Sequence, residues 1–224
     1  MNEETKITLS AKELELVSNT DWILTKHAII EKVYQLFGTL STRMEEAINK
    51  RQSILPSEWS AGKPKISRGE NYRLLPYVML DYPRFFSRKN TLAIRTFFWW
   101  GNFFSIYLQA SGEAKASTAE VLTLHFLLLQ ENDFWVCINT DPWQHHFEKD
   151  NFVPIKKISA ALFEAILNRE PFLKIGKKIP LQQYDVASSF IMQSFLEIIT
   201  MLKFSYPDGE KDPLPGTPTI GSGL

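Results

Sequence analysis

Cysteine occurs once, at Cys137, so an internal disulfide and a cysteine-rich zinc site are both excluded. A lone thiol suits a reducing compartment, and a cytoplasmic protein is expected. An excess of one charge sign is also missing. The 25 Lys and Arg residues balance 25 Asp and Glu residues, so the whole-molecule field offers no strong, sequence-independent grip on nucleic acid. The best membrane-span candidate, residues 97–108, is shorter than the roughly 18–20 apolar residues that cross a bilayer, and Gly101 and Asn102 interrupt it. The first ten residues are polar and acidic, without the basic start and apolar core of a secretory signal. Neither export nor membrane insertion is expected.

Familiar catalytic fingerprints are missing too: no Gly-rich dinucleotide motif, no Walker loop, no HExxH pair, no nucleophile elbow and no CxxC. Internal repeats and sustained heptads are likewise absent, which disfavours a solenoid or a long coiled coil. These gaps count against well-known enzyme classes but leave room for a site assembled from distant residues. No cofactor is implied, and whether the chain catalyses anything stays open.

With 44% hydrophobic residues in 224, the chain can bury roughly 70% of its unfolded surface. Its pattern predicts an α+β fold: a mainly antiparallel sheet with a central aromatic hairpin, packed by N-terminal helices and a long C-terminal helix. Residues 1–55 read as a helical segment, 56–205 as a sheet domain packed with it, and 206–224 as a disordered tail rich in Pro and Gly.

Ser10 and Glu13 have capping-box spacing before a short helix over 11–17. Asn19 or Thr20 then caps a second helix, on which Trp22, Ile23, Ile29, Ile30, Val33, Tyr34 and Phe37 recur at helical spacing. Gly38 is expected to end or bend it, and a third helix follows over about 41–52. The Pro, Gly, Ser and Lys content of 56–69 predicts a loop. Residues 72–80 predict a strand, with Pro76 at an edge or a bulge. Ser117 and Glu120 suggest another capping box, and 119–130 is either a buried helix or a strand. Strands over 134–140 and 172–179 and helices over 158–168 and 182–204 complete the reading, the last carrying a wide apolar face.

The run from Phe97 to Tyr107 predicts a hairpin turning at Gly101 and Asn102, because Gly supplies a positive φ freely and Asn tolerates one. A two-residue loop would put Trp100 opposite Phe103 and Trp99 opposite Phe104. One face would then carry Arg95, Phe97, Trp99, Phe104, Ile106, Leu108 and Ala110. The other would carry Ile94, Thr96, Phe98, Trp100, Phe103, Ser105, Tyr107 and Gln109, a mixture resembling a cleft lining. Core packing of the same aromatics is the alternative.

Eight basic residues lie between Lys63 and Arg95 (Lys63, Lys65, Arg68, Arg73, Arg84, Arg88, Lys89 and Arg95) against Glu70 and Asp81, an excess of six positive charges. Such an approach suits an anion, although solvated loop charges would look the same. Arg95 differs because the hairpin confines it among apolar side chains, where an unpaired guanidinium is costly. It requires either a carboxylate such as Asp81 or Glu70, or a bound anion.

Asp141, His145, His146 and Glu148 are the residues best suited to a metal. Adjacent histidines diverge by about 100° if the turn is helical, so no compact local site is expected and no metal is assigned. Asp141 capping a helix that starts at Pro142 is the simpler reading. His125 reads as an interior histidine, and Cys137 as a buried, inert thiol.

The expected function is non-catalytic binding of an anionic or aromatic small molecule, or of a protein partner, through Arg68, Arg73, Arg95, Phe98, Trp100, Phe103 and Tyr107. A metal-dependent hydrolase using the 141–148 turn and a single-stranded nucleic-acid factor using residues 63–95 are the alternatives. Oligomeric state is left open.

Overall fold

The computed structural model describes residues 7–51, 62–87 and 90–202. Seven antiparallel strands form one sheet in the order β1-β2-β3-β4-β7-β5-β6: β1 Lys65–Tyr72, β2 Leu75–Phe86, β3 Thr91–Trp99, β4 Phe103–Ser111, β5 Trp135–Cys137, β6 Phe152–Pro154 and β7 Phe172–Pro180. The helices are α1 Ala11–Ser18, α2 Thr20–Asn49, α3 Glu113–Leu124, α4 Phe126–Glu131, α5 Ala160–Arg169 and α6 Tyr184–Leu202. This is the expected α+β architecture. The expected tail over 206–224 lies outside the described residues.

Helix α1 starts at a reciprocal capping box in which Ser10 Oγ accepts from Glu13 N and the Glu13 carboxylate accepts from Ser10 N. Asn19 Oδ1 accepts from Trp22 N and so caps α2. Contrary to the sequence reading, Gly38 does not end this helix, and no separate helix begins at 41. The buried stripe Ile30, Val33, Phe37, Leu40, Met44, Ala47 and Ile48 runs through Gly38 in one continuous element. An interior glycine costs only about 1 kcal/mol, less than burying any two of those side chains returns at roughly 1.5–3 kcal/mol each.

Of the loop expected over 56–69, residues 56–61 lie outside the described residues, and from Lys65 onward the chain is strand β1. Pro76 lies beside the irregular pairing between Gly69 and Tyr72, as a residue without an N–H should. The ambiguous 119–130 stretch is helical. Its helix starts earlier than expected, after Gly112, so Ser117 is internal and its hydroxyl donates to the Ala114 carbonyl instead of capping.

The aromatic hairpin is present, but its register differs by one residue. Trp99 pairs with Phe103, so the loop has three residues, Trp100, Gly101 and Asn102. Asn102 N donates to Trp99 O at 3.0 Å, and Gly101 takes φ 71°. A slip of one residue moves every β4 side chain to the opposite face relative to β3. Ile94, Phe98, Phe104, Ile106, Leu108 and Ala110 therefore share one face and join the core beneath α2 and α6. Arg95, Phe97, Trp99, Phe103 and Tyr107 share the other.

That second face is buried as well. The segment 138–151 folds across it, and Met79, Phe97, Trp99, Phe103, Tyr107, Cys137, Phe147, Phe152 and Phe172 form a separate apolar cluster. Burial on both faces explains why β3 and β4 read as continuous hydrophobic runs and not as alternating ones. The segment Leu181–Leu202 is long and apolar enough to span a bilayer by length and composition, and half of its apolar window is buried.

Candidate functional site

A row of cross-strand partners, Asp81, Arg95, Tyr107, Gly176 and Trp135, runs across the sheet beneath segment 138–151. Arg95 Nε donates to Asp81 Oδ1 at 2.6 Å and Nη2 to Oδ2 at 2.9 Å. The guanidinium's requirement is thus met by a carboxylate of the neighbouring strand. Burial pushes the Arg95 pKa down, but the neighbouring Tyr107 and Asp81 more than offset it, so the group stays charged.

Tyr107 has no exposed surface, and its hydroxyl lies 2.8 Å from His145 Nδ1. Desolvation raises the phenol's pKa far above its ordinary value. His145 is driven to about 2 by burial, with the Lys174 and Arg95 charges adding to the effect, so the ring is neutral at all physiological pH values. Lys174 is also fully buried. Its Nζ donates to the Gln144 carbonyl at 2.7 Å and sits 5.3 Å from the Tyr107 ring centroid. Desolvation lowers its pKa to about 8. Burial likewise raises the Cys137 thiol, which lies 3.4 Å from Asn151 Oδ1 and is no thiolate nucleophile.

Tyr72 ties the covering segment down: its hydroxyl accepts from His145 N at 2.7 Å and from His146 N at 3.0 Å. Asp141 does not start a helix. Its carboxylate accepts from Trp143 N and Gln144 Nε2, both at 2.8 Å, closing a side-chain turn. These bonds to the charged carboxylate lower its pKa. The four residues singled out for a metal are therefore not gathered: Asp141 is committed to its own turn and His145 to Tyr107. His146 and Glu148 instead converge with Asp150.

The expected binding residues also divide. Arg95, Phe103 and Tyr107 are buried beneath segment 138–151. Arg68 is exposed on the edge strand β1, and Arg73, in the β1–β2 turn, has Nη1 3.7 Å from Glu148 Oε1. Of these expected residues, Phe98 and Trp100 meet at an open cavity. It lies at the hairpin tip, has a volume of about 480 Å³, and is lined by Ile29, Lys32, Phe98, Trp100, Gly101, Leu181 and Tyr184.

Helices α2 and α6 cover most of the Phe98 face, so the cleft imagined along the whole hairpin is reduced to this end. Trp22 stands edge-on to Trp100 at 6.1 Å between ring centroids, and Phe98 does the same from the strand side. Tyr184, at the start of α6, packs its ring edge on Phe104 at 5.7 Å, and partial burial raises its phenol pKa. Lys32 is exposed on α2, three residues beyond Ile29, and so shares its helix face.

Lys32, Leu181 and Tyr184 were not singled out from the sequence, and Ile29 was placed on a helix face but in no site. A helix face at i and i+3 was visible for Ile29 and Lys32, but nothing local says which strand end that face will meet. Lys174 carried a clearer signal: it occupies an alternate position between apolar neighbours in a strand, where a charge is out of place unless covered.

No protein-family model matches the chain, and comparison with curated proteins and with solved structures likewise gives no match.

Proposed function

We propose that the protein binds a small amphipathic anion, an aromatic or acyl body carrying one carboxylate-like group, in the cavity at the hairpin tip, and that it does so without catalysis. The observation that carries this reading is the pairing of apolar walls with a single cation in a cavity of about 480 Å³, within the roughly 300–1,000 Å³ usual for small-molecule sites. Trp100, Phe98, Ile29 and Leu181 supply contact area for the apolar body. Lys32 offers a point charge at the rim, and the Tyr184 hydroxyl can donate a hydrogen bond. A solvated ammonium favours a monoanion reached through the mouth over a deeply buried dianion. The single, buried Cys137 supports a reducing, cytoplasmic setting for this activity.

The basic stretch contributes less than its charge count suggests. Arg95 is buried against Asp81, and Arg73 is offset by Glu148, an acid outside the stretch, at 3.7 Å. A small-molecule site at the tip is therefore favoured over an extended anionic strand along residues 63–95.

Calorimetric titration with naphthalene-2-carboxylate and with decanoate tests the reading. Wild-type protein should bind one equivalent of at least one of them. Trp100→Ala should abolish binding while the protein still melts cooperatively, a few degrees lower for the lost edge contacts with Trp22 and Phe98, and Lys32→Gln should weaken the anion but not the corresponding neutral alcohol. Equal binding by Trp100→Ala and wild type would overturn the assignment.

A further inference from the structure

The turn that crosses the underside of the sheet gathers one imidazole and two carboxylates that the hairpin-tip site does not use. One ligand atom from each of His146, Glu148 and Asp150 lies within 4.8 Å of the other two. We propose that these three residues bind a divalent first-row transition-metal ion, with zinc as the representative case.

Four observations support the site. His146 is 1% exposed, yet its Nδ1 has no hydrogen-bond partner. Buried ring nitrogens ordinarily find one. The unsatisfied atom faces the cluster, 3.7 Å from Asp150 Oδ1. Ligands at about 2.1 Å around a tetrahedral ion stand roughly 3.4 Å apart, so this pair is already close to the required separation.

The backbone holds the spacing. Asn151 N and Phe152 N both donate to the Glu148 carbonyl, at 2.9 and 2.8 Å, and Asn151 Nδ2 donates to the His146 carbonyl. The tight turn puts alternate side chains 146, 148 and 150 on one side. Tyr72 fixes its start through the His146 N–H.

Access and charge also agree. The Glu148 and Asp150 side chains are 65% and 64% exposed, so both can swing about 1 Å to close on an ion, a small motion for a surface carboxylate. Two carboxylates balance a dication. An imidazole with two carboxylates suits zinc or manganese over magnesium, which prefers oxygen and water. Both acids also line an open groove with Trp135, Phe147 and Lys157, which leaves room for water or a ligand to complete the coordination.

The test uses full-length, untagged protein stripped with chelator. Zinc titrated into the wild type should bind at one equivalent, and cobalt should give the visible absorption of a low-coordinate site. The double variant Glu148→Gln, Asp150→Asn changes only exposed side chains and keeps the fold. It should lose at least roughly a hundredfold in zinc affinity, taking tenfold per ligand, and the cobalt absorption with it. Failure of the wild type to take up zinc at concentrations of about 100 µM, where a site with micromolar Kd would be saturated, would overturn the assignment. So would equal affinity in the double variant, which would move the ion to other residues.

Discussion

Arg95 on β3 and Asp81 on β2 face each other across the ladder and share two parallel hydrogen bonds, with both side chains 9% exposed. The pair satisfies itself inside the protein and leaves neither charge for a ligand. Removing one partner strands the other, which typically costs about 3–5 kcal/mol. Arg95→Met and Asp81→Asn should each lower unfolding free energy in urea by about that amount. The double variant Asp81→Leu, Arg95→Met should recover most of the loss, because two apolar groups of similar volume need no partners. Single-variant losses under about 1 kcal/mol, the range of a surface pair, would show that the bridge is solvated.

Gly176 pairs with Tyr107 so closely that a Cβ built on it would lie 2.4 Å from Tyr107 Cβ and 2.5 Å from the Ile106 carbonyl oxygen. Neither atom belongs to a flexible side-chain end. Gly176→Ala should destabilise by about 2–3 kcal/mol, the scale of overpacking, or roughly 4–12 °C in melting temperature for a chain of this size. Gly38→Ala is the matching control. Its Cβ would meet nothing within 4 Å, and in a helix interior it should stabilise by up to about 1 kcal/mol. Thermal melts of the two variants should move in opposite directions.

His145 and Lys174 give the fold pH signatures of the same sign in two separate windows. The folded imidazole titrates at about 2, whereas in the unfolded chain it takes a proton near ~6.5. Between these values the unfolded state binds more protons, so stability falls as the pH drops below about 6.5. At pH 5 the loss from this residue should be about 2 kcal/mol. Lys174, at about 8 when folded, stays protonated to roughly 10.4 when unfolded. In that upper window the unfolded state again holds the extra proton, so stability rises with pH from about 8 upward. Urea midpoints across pH 4–10 should show both slopes. His145→Gln should flatten the acid limb and Lys174→Met the alkaline one; a His145→Gln variant with an unchanged acid limb would place that titration elsewhere.

Short-range chemistry was legible in the residues themselves. The Ser10–Glu13 box, the Asn19 cap, the fold-back at Gly101, the Arg95 demand for a counter-ion and the apolar face of α6 each depend on neighbours within a turn or a strand. So does the α+β class, which follows from where helical and strand periods alternate. Tertiary structure decided the rest. Whether the hairpin loop held two residues or three depended on what each face of β4 would bury, and that single step moved Tyr107 from an imagined cleft into contact with His145. Gly38 stayed helical because the sheet buries the stripe on either side of it. Lys32 met Trp100, and His146 met Asp150, only through the packing of α2 on the hairpin and the closing of a turn over the sheet. Local propensities are worth tenths of a kcal/mol to about 1 kcal/mol per residue, and burying a side chain is worth about 1.5–3 kcal/mol, so where the two disagreed the core prevailed.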